Sequence, residues 1–203
     1  MSCNSYSLSG IELGCKDNMG GIKQVWLIDE SDVTTVALNS DNTEIATITL
    51  ASYAKFKSYR FRKGTANMTS TATSDEANGT FSVQSDVALQ FNKMETAKRT
   101  EIMAMCLGNM KGIVLDNNGK YWFLGKDQAI SASAASGETG TAFGDFGGYK
   151  VTLTDNSKEM PYEIPANVAE GLVGKSSSNG GGSSNGGGSS NGGGGTNENY
   201  PME

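Results

Sequence analysis

Acid–base, nucleophilic and metal chemistry each need particular side chains, and this chain lacks the most versatile of them: it has no histidine. Without imidazole there is no Ser–His or Cys–His nucleophile pair, no His-bearing zinc site and no switch titrating near neutral pH. Cys3, Cys15 and Cys106 are odd in number and widely spaced, so they form neither a disulfide framework nor a Cys-x-x-Cys metal site. Gly174-Lys175-Ser176 carries the last letters of a phosphate-binding loop, but Ala169 stands where the first glycine is required. No glycine fingerprint for a dinucleotide follows a strand, and no spaced acids match a calcium loop. Paired catalytic carboxylates meet in space rather than along the chain, and nothing in the chain points to them. The expectation is a protein with no catalytic residues, no cofactor and no metal.

The balance of 16 Lys+Arg against 22 Asp+Glu gives a net charge of -6 over 203 residues. Gripping nucleic acid or an anionic membrane needs clustered cations, so neither is expected. A protein that lets DNA pass without holding it is still allowed. No apolar run reaches the length of a membrane span, and Leu13-Gly14-Cys15 lacks the apolar stretch of a lipoprotein signal. Asn67-Met68-Thr69 and Asn78-Gly79-Thr80 match the glycosylation pattern by chance on this reading. Of the 27 glycines, 10 fall between Gly180 and Gly195, where Ser-Ser-Asn-Gly-Gly-Gly repeats three times from Ser177. The division expected is a β domain over 1–175 and a flexible repeat tail over 176–203. About 20 such residues reach roughly 25 Å as a coil. Thr196 to Glu203, with Tyr200 and Met202, is either a docking peptide or a solvated end.

Most segments of the body carry strand signals. Ile22 to Ile28 suits a buried strand, and Val33 to Leu38 with Glu44 to Leu50 flank four turn formers, Asn39 to Asn42. Ile113 to Leu115 and Tyr121 to Leu124 flank Asp116-Asn117-Asn118-Gly119, and Gly148 to Asp155 alternates like a half-buried strand. Ser131 to Gly147, small and glycine-rich, reads as a loop, either mobile or ordered by a partner. One helix is expected over Thr96 to Leu107, capped by Asn92 with Glu95 and stopped by Gly108-Asn109, with its apolar end buried.

The richest stretch is Tyr53 to Lys93. Asn78-Gly79 suits a two-residue type I′ turn. Pairing Ala77 with Thr80 sets Met68 opposite Leu89, Ala66 opposite Phe91 and Ala72 opposite Ser85, with Val83 and Val87 on the same apolar face. The other face collects Asn67, Thr69, Thr71, Thr73 and Asp75 against Ser82, Gln84, Asp86, Ala88 and Gln90. Each arm, Ala66–Ala77 and Thr80–Phe91, would reach about 40 Å at roughly 3.4 Å per residue. A long arm with one thin apolar face is marginal alone and suits edge pairing with copies of itself, though it could also curl over its own domain. Gly64 to Asn92 holds no Lys or Arg, whereas Lys55, Lys57, Arg60, Arg62 and Lys63 precede it and Lys93, Lys98 and Arg99 follow. A barrel of such hairpins would have a polar, weakly negative lumen on which phosphate does not stall.

Phe61-Arg62-Lys63-Gly64-Thr65-Ala66-Asn67-Met68-Thr69-Ser70-Thr71, then Asp75-Glu76-Ala77-Asn78-Gly79-Thr80, resembles tail tube proteins of tailed bacteriophages. Lys98-Arg99, Trp122 to Lys126 and Thr152 to Glu159 fit the same pattern. The resemblance covers most of 1–175 and none of the repeat tail. It implies a mainly β fold: a sandwich or barrel with one flanking helix and a long hairpin. It further implies a homohexameric ring, stacked into a tube that conducts DNA during genome ejection, with other tail proteins as partners. The place implied is the virion tail, after synthesis in the host cytoplasm, with no membrane insertion. Met68, Ala72, Asn78, Gly79, Val83, Val87 and Leu89 are then assembly residues. Asn67, Thr69, Thr71, Thr73, Asp75, Ser82, Gln84, Asp86 and Gln90 face the lumen. The competing expectation is a capsid decoration or surface-recognition β-sandwich, a binding module with no lumen.

Overall fold

The computed structural model describes residue 8 and residues 10–174. Cys3, the Ser177–Gly195 repeat and Thr196–Glu203 lie outside them. The fold is mainly β, and the described residues form eleven strands in three antiparallel sheets and two helices. Among them no sheet closes on itself, so of the two expected forms the arrangement is sandwich-like.

The central layer is a five-stranded sheet. Its middle strands are β1 (Ile22–Asp29) and β7 (Met110–Asp116), flanked by β4 (Lys57–Tyr59), β8 (Tyr121–Leu124) and β11 (Tyr162–Ile164) in the order β11-β8-β7-β1-β4. β1 carries the continuous apolar run Val25–Ile28 because both of its faces are covered there. Val25 and Leu27 point into one core, Trp26 and Ile28 into another. The second core is roofed by the hairpin β2 (Val33–Leu38) and β3 (Ile45–Leu50), through Ile45 and Ile48, and by helix α2 (Ala166–Val173), through Ala169. α2 carries no signal strong enough to anticipate. It follows Pro165 and ends at Gly174, whose left-handed φ of 71° makes that glycine a helix stop and no part of a phosphate loop.

Against the first core lies the four-stranded sheet, ordered β5-β6-β10-β9: β5 (Asn67–Asp75), β6 (Thr80–Asn92), β9 (Ser131–Glu138) and β10 (Gly148–Ser157). Val87, Leu89, Phe91, Val151 and Leu153 from this sheet meet Val25, Leu27, Val114 and Leu124 from the central one. β9 corrects the expected loop over Ser131–Gly147. Its small side chains carry little strand signal of their own, and its pairing to β10 along Ser131–Glu138 supplies the order. Only 139–147 remain a loop.

Helix α1 (Thr96–Leu107) has the expected span and stops at Gly108 as expected, but its N-terminus lacks the expected Asn92–Glu95 cap. Asn92 finishes β6, because the ladder with β10 continues to Gly148, and so it cannot cap the helix. Glu95 occupies the cap position without a side-chain cap bond, and pairs instead with Lys93 at 2.6 Å and Lys98 at 3.0 Å. Ile102 and Met105 enter the core, while Met103 and Leu107 are exposed, so the apolar end of the helix is not buried.

Candidate functional site

The β5–β6 hairpin forms, with a turn of different chemistry from the one expected. Asp75 pairs with Thr80, leaving Glu76, Ala77, Asn78 and Gly79 as a four-residue connection. The Asp75 carboxylate accepts backbone N–H groups from Ala77 at 2.9 Å and Asn78 at 3.2 Å, and the Asn78 side-chain amide at 2.6 Å. Those bonds, the Asn78 side-chain amide first, hold its pKa below the usual carboxyl range. This local capture of the backbone by an Asp outcompetes the two-residue turn. Gly79 alone takes the left-handed conformation, at φ 63°.

The register therefore moves by two residues. Met68 faces Val87 instead of Leu89, and Ala72 faces Val83 instead of Ser85. A shift of two preserves which face each side chain occupies, because strand side chains alternate with period two. Asn67, Thr69, Thr71, Thr73 and Asp75 remain on one face with Ser82, Gln84, Asp86 and Gln90.

The hairpin is not a free two-stranded arm. β10 lies along β6 from Ser157↔Val83 to Gly148↔Asn92, so β6 is interior and the hairpin lies over its own domain. Val87 and Leu89, expected as assembly residues, are buried in this chain's own core, and half-buried Met68 packs against that core; Val83 is buried as well. The side chains of Val83, Val87 and Leu89 therefore present no surface to a neighbour. Of the residues given that role, Ala72, Asn78 and Gly79 remain exposed.

The outer face of this sheet is broader than the hairpin. Lys150, Thr152 and Thr154 of β10 share it, since they pair with Gln90, Ala88 and Asp86. Ser136 and Ala134 of β9 continue it, opposite Lys150 and Thr152. Asp86 is half-buried at its centre and accepts hydrogen bonds from the Thr154 hydroxyl at 2.5 Å and the Gln84 amide at 2.9 Å. Thr154 Oγ1 also lies 2.8 Å from Ser133 Oγ. Asp86 is thus a bonded member of the face, not the contact-free solvated acid that the hairpin alone suggests. The one cation among these residues, Lys150, is paired with Glu138. The signal for β10's contribution was its Lys150-Thr152-Thr154 alternation. The signal for β9 was absent.

Among the described residues no strand pairs with either edge of this sheet, although α1 packs against β9. β5 is one edge and β9 the other. Neither carries the lysines or prolines that usually blunt an edge strand.

At the turn end of the hairpin, an apolar groove of about 520 Å³ runs between the distal hairpin and the ends of β8 and β11. Ala72, Phe81, Trp122, Met160 and Tyr162 line it, with Glu44, Lys158, Glu159 and Glu163 at its rim. Phe81 and Met160 are 54% and 55% exposed. Sequence patterning did not single out Phe81. Among the described residues no cluster of His, Cys, Asp or Glu could hold a metal ion, and no helix is long and apolar enough to cross a membrane. No protein-family model, curated protein or solved structure matches the chain.

Proposed function

We propose that this chain is a structural, self-assembling subunit of a phage-type tail tube, whose four-stranded sheet closes with its copies into a ring around a DNA channel. The observation that carries the reading is a sheet whose two edges, β5 and β9, have no strand partner among the described residues, combined with an outer face rich in Thr, Ser, Gln and Asn whose one cation is paired. Edge strands left bare invite pairing with another chain, and closure into a barrel is the arrangement that removes them. Joining β5 of one copy to β9 of the next continues the sheet with the same face inward at every step. Six copies would give a barrel roughly 45 Å across between backbones, from strands about 4.8 Å apart and tilted about 36°. Its wall would be polar and weakly negative, with Asp86 and Asp75 as recurring charges and Lys150 neutralised by Glu138. Phosphate would be repelled gently and find no cation on which to stop.

The test is the assembly state of the full chain by light scattering and negative-stain microscopy over a range of concentration. Rings or tubes with a central channel are expected. Discrete monomers or trimers at every concentration would refute the tube and favour the decoration module.

A further inference from the structure

The sheet that would line the channel has unlike ends. At the end where β9 turns into β10, residues 139–147 form a pre-organised loop. Asp145 Oδ2 accepts the backbone N–H groups of Thr141 at 2.9 Å and Ala142 at 2.8 Å, and Asp145 N donates to Ala142 O at 3.1 Å. Gly140 sits at φ 71° with no room for a side chain, since a Cβ there would lie 2.6 Å from Asp145 Cβ. Lys150 stacks 5.0 Å from the Phe146 ring at the loop's base. The loop holds Phe143 at its tip with its ring entirely exposed. The opposite end of the sheet, some ten residues of β10 or roughly 30 Å away, carries the aromatic groove under the hairpin turn.

The charges are also divided. The loop end gathers Lys93, Lys98 and Lys150, with Arg62 and Lys63 in the turn entering β5, against Glu95, Glu138 and Asp145. The groove end gathers Asp41, Glu44, Asp75, Glu76, Glu159 and Glu163, against Lys120 and Lys158 and the paired Lys126–Asp127. Four of the cations that flank the Lys- and Arg-free hairpin in sequence, Arg62, Lys63, Lys93 and Lys98, thus collect at one end, and an acidic excess collects at the other.

We propose that the Phe143 loop of one copy seats in the Phe81–Trp122–Met160 groove of a second copy, head to tail along the strand direction. A contact between two different patches of the same chain does not close on itself when it repeats by translation, so it propagates a stack. Presenting a rigid aromatic costs little ordering on docking, and a single buried ring of this type commonly dominates an interface. The opposed end charges set the polarity of the contact and make it weaken with salt. This rests on the tube reading: edge pairing makes the ring, and the loop-in-groove contact stacks rings.

The experiment uses the full chain with two variants. Phe143→Ser removes the ring at a site that packs on nothing, so the melting temperature is expected to hold while tubes give way to single rings. Phe143→p-benzoylphenylalanine is irradiated in a mixture of light and isotope-labelled chains, and the adduct is mapped by mass spectrometry. Mixed-label adducts on Met160, Phe81 or Tyr162 are expected, with yield falling as salt rises. Tubes of normal length from Phe143→Ser would overturn the inference. So would adducts confined to one chain, to the exposed Ile11 and Leu13 or to α1, or the lack of any adduct. A wild-type chain that makes no ring refutes the tube reading instead, and the crosslink still tests the head-to-tail contact by itself.

Discussion

Reversing the charge at Asp86 probes whether the outer sheet face lines a channel. Asp86→Lys loses two hydrogen bonds to a half-exposed carboxylate, from Thr154 and Gln84. At about 0.5–1 kcal/mol each the chain should lose roughly 1–2 kcal/mol, or a fall of about 3–6 °C in melting temperature for a domain of this size. Asp86→Asn keeps an acceptor for Thr154 and should lose less than about 1 kcal/mol. Neither change touches the apolar core or the β5 and β9 edges, so tubes should form. Each subunit, however, gains two units of positive charge, or about twelve around a ring of six facing the phosphates of a duplex. If three phosphates are engaged, the logarithmic salt slope is near −2.7, so retention should fall about 40-fold between 50 and 200 mM salt. The assay is co-sedimentation of a fluorescent short duplex with assembled tubes at those two salt concentrations. Wild-type and Asp86→Asn tubes should retain little at either. Intact Asp86→Lys tubes that retain no duplex at low salt, or retention indifferent to salt, would refute the placement of this face on the lumen.

Three further outcomes are expected. Gly79→Val puts a β-branched residue at φ 63° with no steric neighbour within 4 Å, so backbone strain alone should cost about 1–2 kcal/mol and impair tube formation; Gly79→Asn should be milder by both melting temperature and microscopy. Gly148→Ala would place a Cβ 2.1 Å from Phe91 O and 3.0 Å from Asn92 Cα, which the β6–β10 ladder can relieve only by opening its end. A loss of about 3 kcal/mol in denaturant unfolding is expected, and an unchanged midpoint would show that the ladder yields freely there. Asp155 is 3% exposed, with one carboxylate oxygen bonded to the Gly125 N–H and the other lacking a hydrogen-bond partner, and burial pushes its pKa above the usual carboxyl range. The folded chain therefore keeps this proton to higher pH than the unfolded chain, so Asp155 makes stability fall as pH rises from the unfolded to the folded value. Asp155→Asn should flatten that part of the pH–stability curve and melt higher than wild type at pH 7, with the difference vanishing in acid. A parallel pair of curves would show that the buried carboxyl is not the cause.

What the sequence by itself determined is whatever depends on neighbours along the chain. The alternation of Asn67 to Asp75 and Thr80 to Phe91 assigned every hairpin side chain to its face. That assignment survived a mistaken turn because the true register differs by an even number of residues. The apolar run Val25-Trp26-Leu27-Ile28 announced a strand covered on both sides, and Thr96–Leu107 announced a helix of the observed span. Tertiary structure decided what depends on pairing across the chain. The turn itself was a local choice, in which Asp75 took the backbone N–H groups two and three residues on ahead of the two-residue Asn-Gly turn. β9, with little propensity of its own, became a strand because β10 offered it a ladder. Val87 and Leu89 look in sequence like an apolar face awaiting a partner; the central sheet is that partner, through non-local contacts that no local pattern encodes. The same non-local packing gathers Phe81, Trp122 and Met160 into one groove and separates the cations around the hairpin from the acids at its tip. Periodicity records which way a side chain points, but what it meets there depends on segments that are distant in sequence and adjacent only after folding.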